Sequence, residues 1–517
     1  MSSAMKTQMR RIARQAAAPA LAFLLVFTAA CETKESLERK RIRNVEKGLL
    51  HAVFIKGTTP EKMDLETRMR FYRVPGLSLA VMDENALAWS RTYGYKNGEN
   101  FDPVTPDTMF QAGALSRPVT AAAVLRAVDE NRLALSDDIR LHLRSWRLPP
   151  GVPDLTLRGL LSQSDGLLLQ VFPGYPPDGP IPSLLQILNG EHPANNLPLA
   201  EPRRPSVVEV ESESGYVILQ QLLADIHGES FAALIKKNVL DPLSMENSTF
   251  EIVPPPGLES RAALGHDREG RLIEGGWRIY PESAAKGLWT TPEDLIRFVA
   301  RLMAAARGEP DHLLSHVSAR GLFSPQSGDR SFGFMVEGSG QDIFFHLMGK
   351  TEGYACWLFV YPYRGQGAAV MTNSSNGFVL IEEIFRALSA AYDWPGFKPV
   401  EKPLYRLDPS VYTEYVGRYE VTPDYILDVT HEGYYLVIRP TGQTATKFYV
   451  ESPAFFFSVD PFIRIQFVRD DAGGVKGLIL WQQDFQQEAR KISLPEKSVS
   501  GDEVDGLGNR LDGDVAK

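Results

Sequence analysis

Apolar residues recur along this chain with two periods, and the change from one to the other outlines its parts. After a charged stretch, Val45, Leu49, Leu50 and Val53 sit at helix-compatible spacing, which predicts an N-terminal helix between Glu32 and about Lys62. Two β-type apolar runs follow, Phe71–Val81 and Ala86–Gly94, separated by the polar Asp83-Glu-Asn85, a hairpin pattern. The period returns to helical at Ala121, Val124, Leu125 and Val128. Residues 168–205 are rich in Pro and Gly and predict a long loop region. Phe359–Pro362 and Ala368–Asn373 read as strands, and Ile381–Tyr392 as a closing helix. A Pro/Lys linker over 396–404 then separates a region, 405–493, of short β-type runs: Tyr415–Tyr419, Tyr425–Val429, Tyr434–Ile438, Phe448–Val450, Ala454–Phe457, Ile463–Phe467 and Val475–Leu480. Such regular short strands with Gly, Asp and Pro turns predict a small all-β barrel or sandwich. The tail beyond 494 is acidic and Gly-rich, with no apolar period, and is expected to be disordered.

Composition changes this picture little. The chain has 517 residues, 44% apolar and 23% charged, enough for two or three globular domains. A net charge of −9, with no basic block beyond the N-terminus, argues against nucleic acid as a partner. The N-terminus itself is informative. Lys6, Arg10, Arg11 and Arg14 precede an apolar run, Ala16–Ala30, shorter than the roughly 20 residues that span a bilayer. Thr28-Ala-Ala30 then precedes Cys31, one of only two cysteines. This resembles a bacterial lipoprotein signal, with Cys31 as the lipidated residue and residues 31–63 as tether and helix. A plain signal peptide cleaved at the same site is the alternative. Glu32 after Cys31 fits an outer-membrane or periplasmic address. Cys356 is then expected to be a buried apolar thiol.

The chemistry rests on three motifs. Phe110-Gln-Ala-Gly-Ala-Leu-Ser-Arg-Pro118 leads into the helical period. Leu157-Arg-Gly-Leu-Leu-Ser-Gln-Ser-Asp-Gly-Leu167 and Gly287-Leu-Trp-Thr-Thr-Pro-Glu-Asp-Leu295 are further islands, the latter with Thr291 as a helix cap and Pro292 at the first helical position. Together with the Val74-Pro-Gly hairpin, the Gly215–Phe250 segment and Gly353-Tyr354, these resemble the serine β-lactamases of the class C type and related penicillin-binding proteins. The resemblance spans 64–395, and such proteins often carry a C-terminal lipocalin-like domain, here 405–493. It implies an α/β (α+β type) fold with a central antiparallel sheet flanked by helices, and acyl transfer through a Ser nucleophile.

The catalytic positions depart from the family. Its first motif runs Phe-x-x-Gly/Ala-Ser-x-Ser/Thr-Lys-Pro, which puts Ala114 at the Ser and Arg117 at the Lys. Alanine carries no nucleophile, and arginine keeps its proton. The family's Tyr-x-Asn becomes Glu211-Ser-Glu213, and its Lys/His-x-Gly strand puts Leu347 at the cation and Gly349 at the glycine. Loss of the nucleophile alone costs about 10⁶ in turnover. The pocket is expected to be lined by Gln163, Lys286, Gly349 and Lys350. His346 stands one residue off and would face away unless a bulge turns it inward. Arg117 and Glu211 stand where Lys and Tyr touch in the family, so a salt bridge can replace the proton relay; two merely compatible substitutions are the other reading.

Ser283-Ala-Ala-Lys286 matches Ser-x-x-Lys outside the expected place. Glu209, Glu211 and Glu213 alternate and would share a strand face, as a metal site or as a solvated acidic edge; no His cluster lies near, so no metal and no cofactor is expected. Three functions stay open. The first is a non-catalytic envelope binding protein for a peptidoglycan-like or other small-molecule ligand, or for a protein. The second is a serine hydrolase with rearranged residues, and the third a structural envelope protein.

Overall fold

The computed structural model describes residues 34–492 except 151, 153, 168–169, 201–212, 311 and 483–484. The leader, Cys31, Glu209, Glu211 and the acidic tail lie outside the described residues. The chain divides into two compact units, one holding the described residues up to Leu50 with Glu61–Lys398, the other His51–Pro60 with the chain from Pro399.

The first unit is built on a seven-stranded sheet. Its strands are β1 (Gly76–Asp83), β2 (Ala86–Asn97), β3 (Asp102–Pro103), β4 (Met335–Glu337), β5 (Phe344–Thr351), β6 (Tyr354–Tyr361) and β7 (Gln366–Thr372), in the order β3-β2-β1-β7-β6-β5-β4. The pairs are antiparallel, and β7 joins the N-terminal hairpin to the C-terminal one through Ala369↔Ala80 and Ala369↔Leu358. Central β1 is buried over Gly76–Met82, so one face packs Ala80 and Met82 into one core and the other packs Leu77, Leu79 and Val81 into a second.

Helices cover both faces: α1 (Leu65–Tyr72), α2 (Ser116–Asp129), α3 (Leu157–Leu161), α4 (Ser214–His227), α5 (Ser283–Lys286), α6 (Pro292–Ala306), α7 (His316–Leu322) and α8 (Gly377–Tyr392). The caps expected at α6 are present: Thr291 Oγ1 accepts from the Asp294 N–H at 3.3 Å, with Pro292 at the first position. Two sequence expectations shift. Phe71 and Tyr72 end α1 instead of opening a strand, because Asp64 caps that helix (Thr67 N–H to Oδ1, 2.9 Å) and Arg73 closes it in a left-handed conformation. The loop over 168–205 contains a short helix, Leu184–Asn189, started by a Ser183/Gln186 capping box.

The second unit is a closed barrel of eight strands: β8 (Gly417–Thr422), β9 (Tyr425–Glu432), β10 (Tyr435–Pro440), β11 (Thr446–Ser452), β12 (Phe455–Phe457), β13 (Arg464–Arg469), β14 (Val475–Gln482) and β15 (Phe485–Ile492). Its alternating inward residues, among them Leu427, Val429, Leu436, Ile438 and Phe456, fill the interior with side chains. Seven runs were legible in the sequence. The eighth, β15, hides because only Ala489 of its described side chains is buried. Tyr415 ends a short helix before β8 instead of starting the strand. The expected linker is not free chain: Val400–Lys402 pairs in parallel with Val53–Ile55, inside the second unit.

Candidate active site

The site forms where α2 begins against the edge of β5. Phe110-Gln111 pairs with Trp289-Thr290, anchoring the turn that follows. Gly113 sits at φ +53°, and a Cβ there would lie 2.7 Å from the Lys350 backbone nitrogen. At Gly349 a Cβ would lie 1.9 Å from the Ala112 carbonyl oxygen. Only glycine at both places lets the backbone of the turn rest on that of the strand. Ala114 follows in the 3-10 turn Gly113–Leu115, 6% exposed, and forms part of the lining of a cavity of about 680 Å³. Ser116, two residues on, is structural: its Oγ donates to the Gly113 carbonyl at 2.7 Å and accepts from the Leu288 N–H at 3.0 Å.

Beside Ala114 lies a buried charge network. Arg117, 1% exposed, places Nη2 3.2 Å from Glu213 Oε1 and Nη1 3.4 Å from Gln163 Oε1. The other Glu213 oxygen lies 3.2 Å from Lys286 Nζ and accepts from the Phe172 N–H at 3.4 Å. Lys286 Nζ also donates to the Phe172 carbonyl at 3.0 Å. One carboxylate thus neutralises two cations brought from α2 and α5. Arg117 pairs with Glu213; the pair expected with Glu211 falls outside the described residues. Glu213 is buried and engaged by cations, not on a solvated edge; Glu209 and Glu211 lie outside the described residues.

Lys350 and Lys286 line the cavity, Gly349 lies beneath the turn against Ala112, and Gln163 touches Arg117, which lines it. Lys350 is exposed at the mouth, and among the described residues its ammonium makes no hydrogen bond or ion pair. His346 is a correction. The β5–β6 register runs unbroken from Phe345↔Val360 to Thr351↔Tyr354, so no bulge turns it inward. Its ring packs against Phe344 and Trp357 on the far face, with Nε2 3.0 Å from Glu337 Oε1. Leu347 points to the pocket-side core, 2% exposed. Ser283 does not meet Lys286: its Oγ donates to the Tyr280 carbonyl at 3.3 Å. Cys356 is a buried thiol, with burial pushing its pKa upward.

One residue escaped the sequence reading. Glu282, fully buried next to α5, has neither carboxylate oxygen in a well-formed hydrogen bond. Burial pushes its pKa from 4.5 up to about 7, and Glu213 adds to the rise; Lys286 and the Tyr175 hydroxyl offset part of it. No local pattern marks it, because its burial is created by the chain around it. A carboxyl raised in this way contributes full stability below about pH 4.5 and loses it as the pH climbs to 7. At about 1.4 kcal/mol per unit, the full loss is about 3 kcal/mol. Glu282→Gln is therefore expected to be less pH-sensitive than the parent, with its relative stability rising from pH 4.5 to 7 and level above. Urea midpoints across that range check this; a parent–variant gap that does not change with pH would refute it.

The turn-on-strand contact, the helix behind it and the Trp289 loop form one constellation. A family model described as Beta-lactamase matches residues 64–391. The chain belongs to that family. It lies within the superfamily of serine hydrolases that includes β-lactamases and penicillin-binding proteins. It is 23% identical over 457 residues to Penicillin-binding protein 4* of Bacillus subtilis (strain 168), covering 82% of this chain and 96% of that protein. To a β-lactamase of Pseudomonas fluorescens it is 23% identical over 346 residues, 60% of this chain and 92% of that one. Among solved structures, the octameric penicillin-binding protein homologue from Pyrococcus abyssi superposes with a TM-score of 0.54 at 20% identity, over 82% of this chain and 99% of that one. A class C β-lactamase from Rhodobacter sphaeroides gives a TM-score of 0.51 at 18% identity, over 63% and 97%. Both support the fold.

Proposed function

We propose that this chain is a ligand-binding member of the Beta-lactamase family that forms no acyl-enzyme, exported and held at the cell envelope by a lipid on Cys31. The observation that carries the reading is the pairing beside Ala114. A methyl group occupies the nucleophile's place, and the two nearest buried cations are neutralised by Glu213. Neither cation is placed as a base: Arg117 keeps its proton, and Lys286 Nζ is occupied by Glu213 at 3.2 Å and by the Phe172 carbonyl at 3.0 Å. The cavity persists, with Val171, Phe172, Pro173 and Met348 as an apolar wall and Lys350 and Arg268 as cations at the mouth. That combination suits a small peptide-like molecule with a carboxylate, of the peptidoglycan-fragment class.

The rival reading, a hydrolase using Ser283 and Lys286, is disfavoured because the two do not meet and Lys286 is held by Glu213. Fluorescent penicillin and a fluorophosphonate are expected to leave the purified chain unlabelled; a covalent adduct on either would overturn the proposal. A purely structural role is excluded if muropeptide raises the melting temperature. For the envelope address, palmitate incorporation is expected in the parent and lost in Cys31→Ala; equal labelling of both would remove the anchor from the proposal.

A further inference from the structure

A second cavity, of about 410 Å³, opens in the first unit, remote in composition from the pocket at Ala114. It lies where the C-terminus of α6, α7 and the β6–β7 turn meet. Arg307, Arg320, Arg364 and His316 line it, and among the described residues no carboxylate does, although the chain carries a net charge of −9. Its apolar floor is Met303 and Phe323, 1% and 9% exposed.

Two of the three guanidinium groups are held by carboxylates outside the lining, and Arg307 also by Asn85 within it. Arg307 donates from Nη1 to Asn85 Oδ1 at 2.7 Å, and from Nε and Nη2 to Glu309 at 3.1 and 2.7 Å. Arg364 donates from Nη2 to Asp342 at 2.7 Å. The carboxylates orient these two and offset their charge. Among the described residues Arg320 has no ion pair or side-chain hydrogen bond, and it lines the cavity. His316 is fixed by the Ala305 carbonyl, 3.2 Å from Nδ1.

We infer that this cavity is a binding site for an organic anion, a phosphate or carboxylate head on a compact apolar body. The head pairs with Arg320, whose planar fork of donors suits two anionic oxygens, and draws on the outward N–H groups of Arg364. The body lies on Met303 and Phe323. Nothing in this inference depends on the chemistry at Ala114, so it stands or falls separately from the function proposed above.

Calorimetric titration of the full chain with phenyl phosphate, with inorganic phosphate as comparator, tests it. Phenyl phosphate is expected to bind about tenfold more tightly than inorganic phosphate, because only it uses the floor. Arg320→Gln is expected to weaken it about tenfold, and Arg364→Gln to weaken it less. Arg320 is exposed, so its loss leaves the fold intact; the melting temperature of each variant verifies this. No binding by the parent up to about 10 mM, or parent-like affinity in Arg320→Gln, would overturn the inference.

Discussion

Glu213→Ala is expected to lower the stability of the first unit by about 3–5 kcal/mol, a large share of what a domain possesses. The carboxylate is the shared counter-ion of Arg117 and Lys286, 1% and 8% exposed at the side chain. Its removal takes the counter-ion from two cations that are almost fully buried, and it also frees the Phe172 N–H. The cost comes from the orphaned cations and not from the pair's own net worth. Replacing all three, Glu213→Leu with Arg117→Met and Lys286→Met, is therefore expected to recover most of the loss. Chemical denaturation of the single and triple variants measures both. A single variant within about 1 kcal/mol of the parent would mean that solvent reaches the cations and that no such network holds the pocket.

The second large effect concerns re-arming the pocket. Ala114→Ser, Arg117→Lys and Glu211→Tyr restore the family's nucleophile, base position and tyrosine in type. With Glu213 in place, this triple variant is expected to acylate with fluorescent penicillin only slowly. The same carboxylate that pairs with Arg117 would hold a lysine ammonium there and keep it from taking the serine proton. Adding Glu213→Asn is expected to speed acylation by about 10²-fold, the lower range of a general base's contribution. Equal rates for triple and quadruple variants would show that Glu213 is not what silences the base. A quick recovery would mean that the cavity already has the shape that acylation needs.

Much of the scaffold is visible in local sequence. The hairpin, the helix after Pro118, the capped helix after Thr291 and seven of the eight barrel strands all follow from period and caps, which are short-range properties. The misses share a cause. Phe71 and Tyr72 look like strand residues by composition, yet a cap seven residues earlier commits them to helix. Strand β15 shows almost no apolar period, and closure of the barrel, not its own pattern, makes it a strand. His346 sits on a face decided by the register of β5, which one residue reverses.

The candidate site divides in the same way. Sequence alone determined which chemical groups are present: a methyl at 114, a permanent cation at 117, carboxylates at 211 and 213, and a lysine at 286. It also determined that Gly113 and Gly349 have no side chains to keep two backbones apart. Only the tertiary structure decided who pairs with whom. Glu213 meets Arg117 and Lys286 at the same time, across residues far apart in the chain. The perturbed state of Glu282 arose there too. Charge–charge energies and desolvation depend on distance and burial in three dimensions, and neither quantity is carried by the order of residues along the backbone.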